Sequence, residues 1–412
     1  MKSLRERVLR ASFGEWQPAH DRPDPLGILE AQERERIHVL IPVRRQRMLA
    51  SPFAFYRGGA AIMAADLANV AVTGIRTQLC GDAHVANFGI FATPERNIVF
   101  DVNDFDETLP GPWEWDVMRL CASLPLAARE AGLRKNAAAE AVYATTRSYQ
   151  QWMRRYASQS PLDVWYARID VEDIVQRSGR RNPDWQRALD RAQGEHAQPH
   201  FGADTEYFRR LDAEDADRAR NAMLSYAASL LPSIRVLFER YELVDLALKV
   251  VGVGSVGTLC LAALMHSDRE DRLVLQLKEA QSSVLEAYLP PSVFDNHAQR
   301  VVNGQRLMQA ASDVFLGWVR FDDRDLYVRQ LNDGKAAVDL TRIQGYELVD
   351  YGARCGWALA RAHARSGDGR AIAAYLGRND EFAKAMVRFA TTYAAQVDRD
   401  YDAFRAANNV SP

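Results

Sequence analysis

Read for the spacing of its apolar positions, the chain divides into a polar arm, a helical stretch, a strand-rich stretch and a second helical stretch. Residues 1 to about 50 are polar and Arg-rich, with a turn at PDPLG (23–27), and read as a helical arm laid over the body with no chemistry of its own. From Arg57, RGGAAIMAADLANV has the character of one helix. Thr73-Gly74 stops it, and Ile75 to Cys80 follows as a short strand that runs into the loop GDAHVANFG. NIVFDVND at 97–104 is rich in β-formers and predicts a strand or hairpin arm ending in the acidic stretch DFDE. Beyond Pro110 and Pro112, Val117, Leu120, Cys121, Leu124 and Ala128 recur at helical spacing, and helical composition continues to about residue 240.

The character then changes. LALKVVGVGSVGTLCLAAL, RLVLQLK, VFLGWVRF and LYVRQL, interrupted by one helical pattern near 297–311, predict a small sheet with a single helix. The last stretch is helical again, with Leu348, Tyr351, Cys355, Leu359 and Ala362 on one face. The expected architecture is α+β: an arm (1–50), a helical part (51–239), a strand-rich lobe (240–335) inserted into it, and a second helical part (336–412). A chain of 412 residues is long enough to bury a sizeable core around a cleft.

Charge narrows the partners. With 52 basic against 54 acidic side chains the net charge is −2, so no global positive field exists to hold a nucleic acid or an anionic membrane, and neither is expected. Cys80, Cys121, Cys260 and Cys355 are scattered singly, which predicts no disulfide partner and no thiolate zinc site and suits a reducing cytoplasm. MKSLRERVLRASFGEW lacks the apolar run of an export signal, and Val250 to Met265 is too short and too glycine-rich to span a bilayer.

Three constellations carry candidate chemistry. In CGDAHVAN, Asp82 and Asn87 have the five-residue spacing with which one loop sets an Asp beside an acceptor hydroxyl and an Asn on Mg²⁺; a polar turn capping a helix would use the same residues. In FDVNDFDE, magnesium needs one or two carboxylates at the end of a hairpin arm. Asp104 is the first choice, Asp101 a competitor and Asp106 a possible second ligand, against the alternative of a solvated acidic turn. In GVGSVG, Gly252, Gly254, Ser255 and Gly257 would bring backbone amides close to phosphate. A dinucleotide fold would continue into a helix and an acidic residue, whereas here a β-like run ends in Lys278, suited to the α- and β-phosphates of ATP. On a strand, Lys278 shares a face with Val274 and Gln276 while Leu273, Leu275 and Leu277 point into a core; a surface lysine on an edge strand is the alternative.

A lysine in this role takes a glutamate partner. Glu279 falls on the opposite strand face, and Glu286 is the choice; the 297–311 helix, where such a glutamate would sit, holds only Gln299, Gln305 and Gln309. Glu195, His196 and His200 do not make a zinc pair because Pro199 breaks the required helix. Trp113 and Trp115 read as packing anchors, and Arg57 either meets an anionic substrate or forms a structural salt bridge.

CGDAHVANFG, DVNDFDETLPGPWEWD, GVGSVG and LQLKEA together resemble the bacterial domain-of-unknown-function family 2252 over most of the chain after about residue 45. More distantly, CGDAHVAN resembles the His-Gly-Asp-x-His-x-x-Asn loop of aminoglycoside and choline phosphotransferases, with Cys80 in place of the first histidine. WEWDV, with Asp116, is similar to the segment after their metal motif, and GWALARAHA (356–364) to the helix that precedes their catalytic loop. The resemblance implies a two-lobed, protein-kinase-like fold in circularly permuted order, since the catalytic loop here precedes the glycine loop. Permutation requires the 345–366 helix to pack near that loop.

The expected function is transfer of the γ-phosphoryl group of ATP to a hydroxyl, with ATP and Mg²⁺ as cofactors. Asp82 acts as base with His84 in the same loop, Asn87, Asp104 and Asp106 hold the metal, and Lys278 with the glycine loop fixes the phosphates. Gly81 replaces the arginine that reads activation-loop phosphate in many protein kinases, which favours a small-molecule acceptor over a protein. Three alternatives stay open: transfer of AMP from the same pocket, a nucleotide-binding regulator without catalysis, and a metal-dependent hydrolase built on Asp82, His84, Asp101 and Asp104.

Overall fold

The computed structural model describes residues 2–178, 183–193, 208–211, 213–249, 256–269, 271–331 and 336–408. The fold is α+β. Among the described residues the strands are β1 (Arg76–Leu79), β2 (Phe88–Ala92), β3 (Ile98–Val102), β4 (Leu109–Pro112), β5 (Phe208–Arg210), β6 (Tyr241–Lys249), β7 (Cys260–Ser267), β8 (Arg272–Ala280), β9 (Gly317–Phe321) and β10 (Arg324–Gln330). β1 pairs with β4 and β2 with β3 as two small ribbons, and the other six form one antiparallel sheet in the order β5-β6-β7-β8-β10-β9.

The helical body is built on Trp113–Glu130, Lys135–Ala157, Gly345–Ser366 and Glu381–Ala407. The face expected from Leu348, Tyr351, Cys355, Leu359 and Ala362 is buried throughout. Gly352 and Gly356, one turn apart on that helix, let it press against Lys135–Ala157: a Cβ on either would collide with Thr145. Trp152 and Trp357 stack with centroids 3.9 Å apart alongside this contact. Trp113 is fully buried and stacked on Tyr149, a packing anchor as its composition suggested.

Alternation along β8 separates two environments. Leu273, Leu275 and Leu277 enter a core with Met223, Tyr226, Phe238, Val319 and Val328, while Lys278 points the other way and is buried. β8 lies between β7 and β10, so Lys278 is not on an edge. The helix His297–Met308, slightly shorter than its sequence pattern, covers the Lys278 side, with Ala298, Val301 and Val302 in the main core.

Two local differences from the sequence pattern have clear causes. The helix expected from Arg57 is two helices, Pro52–Gly58 and Ala60–Leu67. Arg44 donates to the Gly58 carbonyl at 3.1 Å and Met48 packs where a Gly58 side chain would be, which fixes the break. The sheet also begins earlier than residue 240: β5 pairs with β6, and the Tyr226 and Phe238 helices (Ala213–Tyr226, Pro232–Phe238) pack into the sheet's own core. Amphipathic spacing shows that a helix has an apolar face but not which core will receive it.

The arm is tied to the C-terminal helix through Phe13–Phe382 and Trp16–Phe389 edge contacts and through Arg22, which bridges Asp66 and Asp400 at 2.6 and 2.7 Å. No helix among the described residues is long and apolar enough to cross a membrane.

Candidate active site

A cavity of about 420 Å³ opens between the sheet and the helical body. The loop after β1 supplies Asp82, His84 and Asn87; the loop between β3 and β4 supplies Asp104, Asp106 and Glu107. The two loops touch at Gly81, whose φ of +84° favours glycine and whose Cβ would strike the Glu107 carbonyl.

Asp116, in the first turn of Trp113–Glu130, fixes the start of the first loop. Its Oδ2 accepts from Cys80 N at 2.8 Å and its Oδ1 from Gly81 N at 3.0 Å, and His363 Nε2 lies 3.2 Å from Oδ2. His363 belongs to Gly345–Ser366, whose Tyr351 hydroxyl donates to the Phe88 carbonyl at 2.8 Å, and Gly367 packs against Arg76 and Thr77 of β1. The helix near the C-terminus therefore lies against the loop near the N-terminus.

Arg119 was not singled out in the sequence. Its Nε donates to Asp82 Oδ1 at 2.8 Å, its other arm donates to the Tyr56 carbonyl at 2.8 Å, and the guanidinium stacks on the Tyr56 ring at 3.8 Å. The available signal was its position three residues after Asp116, one helical turn along. Burial raises the Asp82 pKa, and Arg119 and Arg57 oppose it. His84 Nε2 is 3.7 Å from Asp82 Oδ2, while its Nδ1 is buried without a partner. Burial, reinforced by Arg57 and Arg119, keeps the imidazole neutral well below its ordinary range. Asn87 Nδ2 donates to the Asp82 carbonyl at 2.8 Å, which leaves the amide oxygen, a hard donor, for a cation.

On the sheet side, Lys278 is ion-paired with Asp106, and the Tyr327 hydroxyl donates to the other Asp106 oxygen at 2.8 Å. This corrects the expectation of Glu286. Glu286 caps its own turn, accepting from Ser283 N at 3.2 Å, and is 3.8 Å from Arg300. Burial works to raise the Asp106 pKa, but Lys278 and Tyr327 hold it below the usual carboxylate value. Asp104 moves the other way: burial and the neighbouring Asp106 charge raise it against Lys278 and Arg329. Lys278 is 4% exposed and lies behind Asp106. Glu107 accepts from Val284 N at 2.7 Å, and burial pushes its pKa up to about 7.

Asp101 does not belong to the site. It is fully buried, salt-bridged to Arg361 at 2.6 Å and accepting from Ala310 N at 2.8 Å, so it is neither the main metal ligand nor part of a hydrolase quartet. Gly252, Gly254 and Ser255, like Glu195, His196 and His200, lie outside the described residues. Gly257 is described at φ +95°, and the arm grips it: Ile37 N donates to its carbonyl at 2.7 Å and Arg36 donates to the Val256 carbonyl at 2.6 Å. Gln32, Glu35 and Arg36 thus line the cavity, a contribution that the polar composition of the arm did not signal.

Among the described residues no group of three or more His, Cys, Asp or Glu side chains is arranged to hold a metal. The amide oxygen of Asn87 and the Asp104 carboxylate, which among the described residues accepts only from Asp106 N at 3.2 Å, could nevertheless hold a magnesium that completes its shell with phosphate oxygens and water.

Fold and site together define an α+β protein with a polar cleft lined by the Asp82 and Asp104 loops, the second of which is ion-paired to a buried lysine. The chain belongs to the family described as an uncharacterized protein conserved in bacteria (DUF2252), which it matches over residues 36–407. Comparison with curated proteins and with solved structures gives no match.

Proposed function

We propose that the protein is an ATP- and Mg²⁺-dependent phosphotransferase with a two-lobed, kinase-like fold in circularly permuted order, acting on a hydroxyl of a small-molecule acceptor. The observation that carries this reading is the convergence, at one cavity, of a loop bearing Asp82 and Asn87 and an acidic loop bearing Asp104 and Asp106, with a buried strand lysine ion-paired to Asp106 from behind. These pieces come from distant parts of the chain, and phosphoryl transfer is the chemistry that needs all of them at once.

Asp82, made more basic by burial and aimed by Arg119, accepts the acceptor's hydroxyl proton. The acceptor oxygen bonds to the γ-phosphorus while the bond from that phosphorus to the ADP oxygen breaks, with the electron pair leaving on ADP. Asn87 and Asp104 would hold magnesium, which would neutralise charge on the phosphate oxygens. Lys278, ion-paired with Asp106, would supply the cation for the nucleotide phosphates, and Asp106 would be a further carboxylate for the metal.

Calorimetry with Mg·ATP on the native chain, Lys278→Ala and Asp104→Asn tests this. Micromolar binding is expected, weakened at least about tenfold by either change. Absence of binding at millimolar ATP refutes it. The burial of Lys278 behind Asp106 favours one second reading, a regulator that binds nucleotide without turnover. Binding without any ADP release in the presence of acceptors distinguishes it.

A further inference from the structure

Arg57 is a cation of the cavity that the proposed chemistry leaves without a role. It stands near the end of Pro52–Gly58, directly after Tyr56, whose carbonyl Arg119 holds, and its side chain lines the cavity. Its Nε is buried without a hydrogen-bond partner, and no ion pair among the described residues engages the guanidinium; the Phe53 ring lies 6.0 Å away. The neighbouring cations are all tied down: Arg119 to Asp82, Lys278 to Asp106, and Arg300 to the carbonyls of Thr108, Asp106 and Gln281.

A guanidinium stays charged, and burying it unpaired is costly. Burial lowers the Arg57 pKa even against the attraction of Asp82, Glu130 and Asp104. Asp82 does not need it, because Arg119 already neutralises that carboxylate at 2.8 Å. The position of Arg57 is also specific. Its field reaches Asp82 and His84, on the wall where the acceptor hydroxyl is taken, as well as Asp104, whereas Lys278 responds to Asp104, Asp106, Tyr327 and Arg329 and reaches neither Asp82 nor His84.

We infer that Arg57 is an oxyanion subsite for the acceptor: the molecule whose hydroxyl meets Asp82 also carries a carboxylate or a phosphate monoester, which pairs with the Arg57 fork. This rests on the phosphotransfer reading for the word acceptor, but the subsite stands on Arg57 itself. An anion there supplies the partner that the guanidinium lacks, fixes the hydroxyl relative to Asp82, and excludes neutral polyols and cationic alcohols.

The test is calorimetric titration of methyl phosphate and of acetate into the full chain saturated with Mg²⁺ and a non-hydrolysable ATP analogue, which occupies the nucleotide's own phosphate sites. The expected result is binding of at least one anion in the millimolar range, weakened at least about tenfold in Arg57→Gln and less in Arg57→Lys. Methyl phosphate alone identifies a phosphate ester, and acetate a carboxylate. Failure of both anions to bind the native chain overturns the proposal even without a variant, and so does equal binding by native protein and a folded Arg57→Gln. If the nucleotide analogue itself does not bind, the phosphotransfer reading falls. The same titration on the unloaded chain then judges Arg57 separately.

Discussion

Replacing Asp101 by Asn separates a structural carboxylate from a chemical one. Asp101 and Arg361 are both fully buried, and the carboxylate answers several donors at once: Arg361 at 2.6 and 2.8 Å, Ala310 N at 2.8 Å and Val102 N at 2.9 Å. An amide has one oxygen, so its NH₂ must face a backbone N–H whichever way it is flipped. Arg361, whose Nε and Nη1 are already buried without partners among the described residues, keeps the amide oxygen and the Met308 carbonyl at 2.6 Å as neutral acceptors but loses its counter-charge. Removing one member of a buried pair costs about 3–5 kcal/mol. With an unfolding entropy near 0.9 kcal/mol per kelvin for a chain of this length, Tm falls by about 3–6 °C. Asp104→Asn behaves oppositely, because it removes a charge that burial and Asp106 disfavour, so its Tm holds or rises while magnesium-dependent nucleotide affinity drops. Differential scanning calorimetry of both variants, alongside nucleotide titration, decides the matter. An Asp101→Asn protein with unchanged Tm and lost magnesium dependence would refute the reasoning and restore Asp101 as a ligand.

Two further outcomes follow from single positions. Glu114 is fully buried and accepts from Thr73 N at 2.8 Å, and burial raises its pKa from an ordinary 4.5 to about 7. The folded state therefore holds this proton longer than the unfolded chain, so stability declines as pH rises from about 4.5 to about 7 and stays lower above that. Glu114→Gln removes this part of the decline, which thermal melts across that window detect; a slope identical to the native protein's would count against the burial argument. Gly81→Ala forces a Cβ onto the Glu107 carbonyl at a positive φ. The expected cost is about 2 kcal/mol or more, from left-handed strain plus the displaced loop. A denaturation midpoint unchanged from the native value would show that the two loops are not in contact.

What the sequence by itself determined is local. The period of two along RLVLQLKEA assigned Leu273, Leu275 and Leu277 to a core and Lys278 to the opposite face, and the helical period assigned Leu348, Tyr351, Cys355, Leu359 and Ala362 to one buried stripe. Asp82 and Asn87, five residues apart, meet because one short loop joins them. Single strand-terminal carboxylates carry no such information: Asp101, Asp104 and Asp106 look equivalent in DVNDFD, yet one is buried against Arg361, one lines the cavity and one holds Lys278.

Only the tertiary structure decided those pairings. The partner of Lys278 is 172 positions away and that of Asp101 is 260 away, and periodicity has no reach over such separations. Glu286 lies only eight residues from Lys278, whereas the approach of sheet to loop delivers Asp106. The same holds for Arg119 on Asp82, for Arg36 of the arm against Val256, and for His363 on Asp116. Each is a polar side chain whose burial is tolerated only because topology brings its partner to it.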